Sequence, residues 1–368
     1  MKRKHSDWAL LGLTVLLSLL GLLFIFDASA LSAQKNFGDQ FFYLKRQALW
    51  LTAGLAALIF MGKIDYHHLK KISLPFLLSA TVALILTLVP GLGIKKLGAQ
   101  RWLNLGGFSF QPSELAKLAI IIYGASFFAG KENLSSSKNH PRSPWPFLAV
   151  ILLIAFLIIL QPDFGTAVII VSLGLIILFL AETPAYQLLL IVGLGLLLAL
   201  SLIIFSPYRQ ERLLTFLNPD RDPQGSSYHV HQILIALGSG GLWGQGLGKG
   251  RQKYLYLPEV ATDSIFAVIA EELGFFGASF LIFLFAALIF RCLKIASQAK
   301  DNFGKLLAAG VGAALGVQTI VNLGAMVMIF PLTGIPLPLV SYGGSSLLVA
   351  LAALGIVLSV SRERRKKK

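Results

Sequence analysis

YLYLPEVATDSIFAVIAEELGFFG, residues 254–277, begins as a polar loop and turns into an apolar helical pattern at Ile265. Asp263 stands at that border, after Pro258 and Glu259 and just before Ile265, Phe266, Ala267 and Val268. A carboxylate there is partly removed from water, which raises its proton affinity and suits it to general-base work. Asp is also a favoured N-cap residue, and the two roles are compatible.

Outward from this border the chain is a membrane protein. Apolar residues make up 56% of 368 and charged residues 13%, which excludes the balance of an ordinary soluble domain. Runs at or near the roughly 20 residues that cross a bilayer predict ten spans. They lie near residues 8–30, 47–62, 73–90, 112–129, 146–161, 165–181, 187–206, 264–290, 306–330 and 344–360. The expected fold is an all-α polytopic bundle, one transmembrane domain over residues 1–368.

Basic residues give the orientation. With the amino terminus inside, 19 of the 32 Lys and Arg fall on cytoplasmic segments. These are Lys2, Arg3 and Lys4; Lys63, Lys70 and Lys71; Lys131, Lys138 and Arg142; Arg291, Lys294, Lys300 and Lys305; and the closing RERRKKK. Both termini are expected inside, which makes 207–262 a large external loop between the seventh and eighth spans. The net charge of +15 is spread over the flanks of separate spans, so it predicts attraction to anionic lipid and no nucleic-acid partner. The apolar run from Trp8 to Phe26 exceeds a usual signal-peptide h-region and no clear cleavage pattern follows, so no cleavable signal is expected. Cys292 is the one cysteine, which excludes an intramolecular disulfide and a thiolate metal cluster.

Ionisable residues at membrane depth call for a partner or a function. Glu114 and Lys117 share a helix face at i, i+3 and are expected to pair. Asp163, in LQPDFGTA, reads as a turn residue or helix N-cap near the outer surface, as well as a candidate site residue. Asp27 is given no role, and Glu271 and Glu272 are expected to make structural pairs. Segment 130–145 reads as a polar linker, whereas a loop as long as 207–262 is unusual unless functional. Within it, HVHQILIAL (229–237) predicts a short helix at the membrane surface.

Two external regions hold cations for an anionic headgroup: Lys95, Lys96 and Arg101 in one, and Arg209, Arg212, Arg221, Lys249, Arg251 and Lys253 in the other. Glycines in 238–250 permit close backbone approach to a ligand. GQGLGKG is no dinucleotide fingerprint, because no strand precedes it. His229 and His231 resemble a metal pair but have no third ligand nearby.

The chain resembles the SEDS family (shape, elongation, division and sporulation) over most of its length. The likeness is carried by GAQRWLNLGGFSFQPSELAKLA, QPDFGTA, NPDRDPQGSSYHVHQ, GSGGLWGQGLGKGRQKYLYLPEVATDSIFAVIAEELGFFG and TGIPLPLVSYGGSSLL, in that order. It implies a ten-helix peptidoglycan glycosyltransferase that polymerises lipid II, the undecaprenyl-diphosphate disaccharide-pentapeptide, at the outer face of the bacterial cytoplasmic membrane. The family's catalytic aspartate maps to Asp263, and the Glu and Lys of its fourth span to Glu114 and Lys117. Arg101, Asp163, Arg212, Lys249, Lys253 and Ser341 are the further candidates for substrate binding or electrostatics. Mg²⁺ or Mn²⁺ is expected through the substrate diphosphate with one or two carboxylates, so no protein cage is required and no metal-site residue is singled out. Expected partners are a class B penicillin-binding protein transpeptidase and divisome or elongasome proteins. The stretch GLWGQGLGKGRQKYLYLPE looks closer to the FtsW-like division branch than to the RodA-like elongation branch.

Two departures stand out. The family's usual His-Thr-Asp-Phe is here Ala261-Thr262-Asp263-Ser264, which removes an imidazole and an apolar ring beside the aspartate. A lipid II flippase without chemistry is the rival reading; its marks would be polar groups at mid-membrane and paired broken helices.

Overall fold

The computed structural model describes residues 7–96, 99–106, 108–129, 143–254 and 256–363. Lys2, Arg3, Lys4, Lys131, Lys138, Arg142, most of the 130–145 linker and the tail beyond Glu363 lie outside the described residues.

Ten helices follow the ten expected spans: α1 (Trp8–Phe37), α2 (Phe42–Lys63), α3 (His68–Leu88), α4 (Pro112–Ala129), α5 (Trp145–Ile159), α6 (Phe164–Leu180), α7 (Ala185–Ile204), then α10 (Ile265–Ser297), α11 (Asn302–Met326) and α12 (Gly344–Arg362). Seven of them, α1, α3, α4, α7, α10, α11 and α12, are long and apolar enough to cross a membrane, and α5 and α6 are shorter apolar helices. The 207–262 loop is itself ordered, with α8 (Pro207–Leu217) and α9 (Tyr228–Gly240). α9 covers the short helix expected at 229–237. Between α3 and α4, where an external cationic region was expected, β1 (Gly93–Lys96), β2 (Ala99–Leu105) and β3 (Phe108–Phe110) form a three-stranded antiparallel sheet. Its register pairs Ile94 with Trp102 and Leu103 with Phe110.

α4 and α11 are central, and most of α4 is buried, Glu114 and Lys117 included. By contrast α7 buries only Ile191 and turns its leucines outward, the surface of a helix solvated by lipid. Small residues set the close contacts, as expected where lipid removes the hydrophobic drive between helices. A Cβ on Gly355 of α12 would sit 2.6 Å from the Leu58 carbonyl of α2.

The two ends of the bundle differ. At one end Arg291 clamps Asp7 at 2.8–3.0 Å, Arg362 donates to the Gly62 carbonyl at 2.8 Å, and Tyr66 donates to Asp301. The sheet and the 207–262 segment occupy the opposite end.

α10 is broken at Gly274, whose φ of 67° and ψ of −166° leave the helix. The freed backbone groups are taken up by the loop after α9. Gln245 and Gly246 N–H donate to the Glu271 and Glu272 carbonyls, both at 3.0 Å. Phe275 and Phe276 N–H donate to Gly241 and Leu242 at 2.9 and 3.2 Å. Non-helical backbone at membrane depth is tolerated only when so satisfied. A Cβ at Gly274 would lie 2.2 Å from the Gly244 nitrogen, so glycine is required there both for φ and for space.

Candidate functional site

Asp263 does not cap α10. The N-cap residue is Ser264 and makes no side-chain cap bond. The Asp263 carboxylate is 7% exposed, and among the described residues its one side-chain donor is the Thr262 hydroxyl, at 3.3 Å, which also lies 2.8 Å from the Glu259 carboxylate. Burial, with the nearby Glu259 charge, pushes its pKa up to about 7. A buried carboxylate with so few donors holds its proton more tightly because its charge is poorly solvated.

The carboxylate lines a cavity of about 380 Å³ with Glu211, Arg212, His229, Val230, Met328 and Gly334 among its neighbours. α8 delivers Glu211 and Arg212, α9 delivers His229, and the segment between α11 and α12 closes the wall. Arg212 also donates to the Leu332 carbonyl at 3.0 Å, tying α8 to that segment. Three further bonds fix the geometry. Asn322 of α11 gives its amide N–H groups to the Asp263 and Ile335 carbonyls, both at 2.8 Å. Tyr342 N–H donates to the Ala261 carbonyl at 2.8 Å.

Of the residues singled out in the sequence, Asp263, Arg212 and His229 meet in this cavity. The others take different places. Glu114 and Lys117 form the expected pair at 2.8 Å, and Lys117 also donates to Gln318 of α11 at 2.6 Å. They border a separate space of about 40 Å³ between α4, α11 and α12. Gln318 in turn donates to the Pro336 carbonyl at 2.9 Å. One turn further along α11 lies Asn322, so a polar column runs from the α4 pair to the backbone of Asp263. Gln318 and Asn322 were missed in the sequence, although two amides at i, i+4 in the apolar run of α11 were the available signal.

Asp163 is the N-cap of α6 and accepts from Thr166 N–H at 3.1 Å. Arg101 of β2 approaches it at 3.8 Å and donates to the Gln161 and Pro162 carbonyls, pinning the sheet to the α5–α6 turn. The Ser341 hydroxyl accepts from Leu337 N–H at 2.8 Å within its own turn. Lys249 is exposed and outside the Asp263 cavity lining.

Lys253 is the clearest correction. The reading as a headgroup cation gives way to a buried ion pair with Asp27 at 2.6 Å and Glu272 at 2.7 Å. Around it the glycine-rich loop wraps the carboxylates of α10. Gly248 and Gly250 N–H donate to Glu272 at 3.1 Å each, and Arg251 N–H donates to Glu271 at 2.8 Å. The glycines thus allow close approach to the protein's own carboxylates. Asp27, given no role, is part of this cluster. His229 and His231 take separate partners: His229 meets Ser264 at 2.7 Å and His231 meets the Pro219 carbonyl at 3.1 Å.

The profile of the family FTSW_RODA_SPOVE, described as Cell cycle protein, matches residues 7–366. The chain belongs to this family. SEDS membership therefore holds along nearly the whole length. Stage V sporulation protein E of Bacillus subtilis is 38% identical over 365 residues, covering 99% of each chain. A protein of Trichlorobacter lovleyi named Probable peptidoglycan glycosyltransferase FtsW is 39% identical over 358 residues, covering 96% of this chain and 93% of its own. Among solved structures, a chain from "Structural coordination of polymerization and crosslinking by a peptidoglycan synthase complex" superposes with a TM-score of 0.78 at 29% identity, covering 98% of this chain and 99% of its own. The crystal structure of the Thermus thermophilus Rod shape determining protein RodA gives 0.70 at 29% identity, covering 98% of each. The SEDS chain described here is thus a multi-pass membrane protein with a RodA-like helical bundle.

Proposed function

We propose that the protein is an inverting peptidoglycan glycosyltransferase that polymerises lipid II at the outer face of the cytoplasmic membrane, in septal wall synthesis. The observation that carries this reading is Asp263: a buried carboxylate poised near neutrality in a cavity shared with Arg212, in a chain whose relatives include proteins named as peptidoglycan glycosyltransferases. A base with a pKa near the working pH combines proton affinity with a useful fraction in the ionised form.

In the reaction the 4-hydroxyl of the acceptor GlcNAc attacks the anomeric carbon of a MurNAc joined through α-diphosphate to undecaprenol. The O4–C1 bond forms as the C1–oxygen bond to diphosphate breaks, with inversion to β-1,4. Asp263 takes the hydroxyl proton, and undecaprenyl diphosphate leaves beside Arg212, whose guanidinium fork suits phosphate oxygens. A hard cation already bound to phosphate needs only one or two carboxylates, so the Glu211 side of this cavity fits Mg²⁺ or Mn²⁺. Held by Glu211 and the substrate diphosphate, the ion would neutralise charge on the departing oxygens.

This reading makes the 207–262 end external and both termini cytoplasmic. A class B penicillin-binding protein transpeptidase is the proposed partner; the similar chain in the peptidoglycan synthase complex supports it. The division branch is supported by the FtsW relatives, at 37–41% identity. Mid-cell placement of the tagged protein would agree with it, and placement along the flanks would point to elongation.

Purified protein with labelled lipid II tests the reaction. Glycan polymer is the expected product. Headgroup translocation without polymer would indicate a flippase, and neither outcome would leave a scaffold that only recruits the transpeptidase.

A further inference from the structure

The cavity holds a second polar group whose hydrogen bonding fixes its proton. His229 Nε2 lies 2.7 Å from the Ser264 hydroxyl, and Ser264 is fully buried. That hydroxyl has no other hydrogen bond among the described residues. Leaving a buried donor unmet is costly, so the serine donates and Nε2 accepts. Burial, with the Arg212 charge, brings the imidazole pKa down to about 4, so the ring is neutral under ordinary conditions. A neutral ring that accepts at Nε2 carries its hydrogen on Nδ1. Nδ1 has no protein partner among the described residues, and the ring lines the Asp263 cavity.

We propose that His229 is a substrate-contacting residue, whose Nδ1–H donates to an uncharged oxygen of the bound sugar, a hydroxyl or an N-acetyl carbonyl, beside Asp263. The inference rests on the glycosyltransferase reading. A neutral donor matches a neutral acceptor, while Arg212 in the same wall is the group matched to the diphosphate. Ser264 is essential to the arrangement because it selects the tautomer. Phenylalanine, the usual residue in the family pattern, has no hydroxyl to do so.

The test measures lipid II polymerisation kinetics and thermal melting for the wild-type protein, His229→Leu, His229→Gln and Ser264→Ala. His229→Leu should raise KM about tenfold, the loss of one hydrogen bond to a site left with an unpaired polar group, and should lower the melting temperature by a few degrees at most, because the buried Ser264 hydroxyl loses its acceptor. His229→Gln keeps an N–H donor and an acceptor for Ser264, and should return KM to within about threefold of wild type. Ser264→Ala releases the tautomer and should raise KM about two- to threefold. An unchanged KM in His229→Leu would overturn the inference. So would a His229→Gln variant as impaired as His229→Leu, with melting lowered in step, because the role would then be structural. Polymer from the wild type with unaltered His229→Leu kinetics removes this inference alone. No polymer from the wild type removes the glycosyltransferase reading and the inference together.

Discussion

Asp263 and Glu272 are carboxylates about two helical turns apart, one just before α10 and one within it, and both are buried. Their surroundings are opposite. Glu272 receives two backbone N–H groups and the Lys253 ammonium, whereas the one side-chain donor to Asp263 among the described residues is a hydroxyl at 3.3 Å. Burial with compensation makes Glu272 part of the architecture; burial without it makes Asp263 a proton acceptor. Depth in the molecule is therefore a poor guide to function, and the count of donors aimed at the carboxylate is a better one.

The sharpest way to break this contrast is to neutralise each group. Asp263→Asn should keep the fold and lower the polymerisation rate by about 10²–10⁴-fold, the range for a lost general base. Near-normal polymer from the well-folded variant would remove Asp263 from the chemistry. Glu272→Gln should act on folding, costing about 1.5–3 kcal/mol, because the Gly248 and Gly250 N–H groups lose a charged acceptor while Lys253 keeps Asp27 as its counter-ion. Folded yield and melting report it; unaltered melting would show that the cluster is dispensable.

The same logic gives Asp263 a pH dependence of its own. Asp263 has a folded pKa of about 7 against an ordinary 3.8. Its raised value favours the folded state in the protonated form, so stability is lost as pH climbs from about 4 through 7. Asp263→Asn should therefore be more stable than wild type by up to roughly 4 kcal/mol above pH 7, converging near pH 4, in melting curves taken across that range. Activity should run the other way, falling about tenfold per unit below pH 7 as the base becomes protonated. A flat rate profile from pH 5 to 8 would contradict the base assignment.

The α4 pair offers a smaller effect. Lys117→Glu alone sets two buried anions together, and the double reversal Glu114→Lys with Lys117→Glu should recover part of the lost stability. The Gln318 contact, made to Lys117 at 2.6 Å, limits that recovery. No recovery in melting would mean that the two residues have separate roles.

Much of this was legible in the chain. Apolar runs gave the ten spans because the length of hydrocarbon to be crossed is fixed. The i, i+3 spacing joined Glu114 to Lys117, and the change from polar loop to apolar helix marked Asp263. The partners of the remaining charges were not legible. Lys253 reaches Glu272 and Asp27 across 19 and 226 residues, and His229 reaches Ser264 across 35.

Hydropathy and helical spacing act between chain neighbours, so the repeated membrane crossings and the aspartate at the start of α10 could be read along the chain. Which cation faces the cavity and which is locked away, the break of α10 at Gly274, and the bracing of the site by Gln318 and Asn322 emerged from packing. The physical reason is that the state of a buried charge depends on the donors that surround it in space, and folding draws those donors from distant parts of the chain.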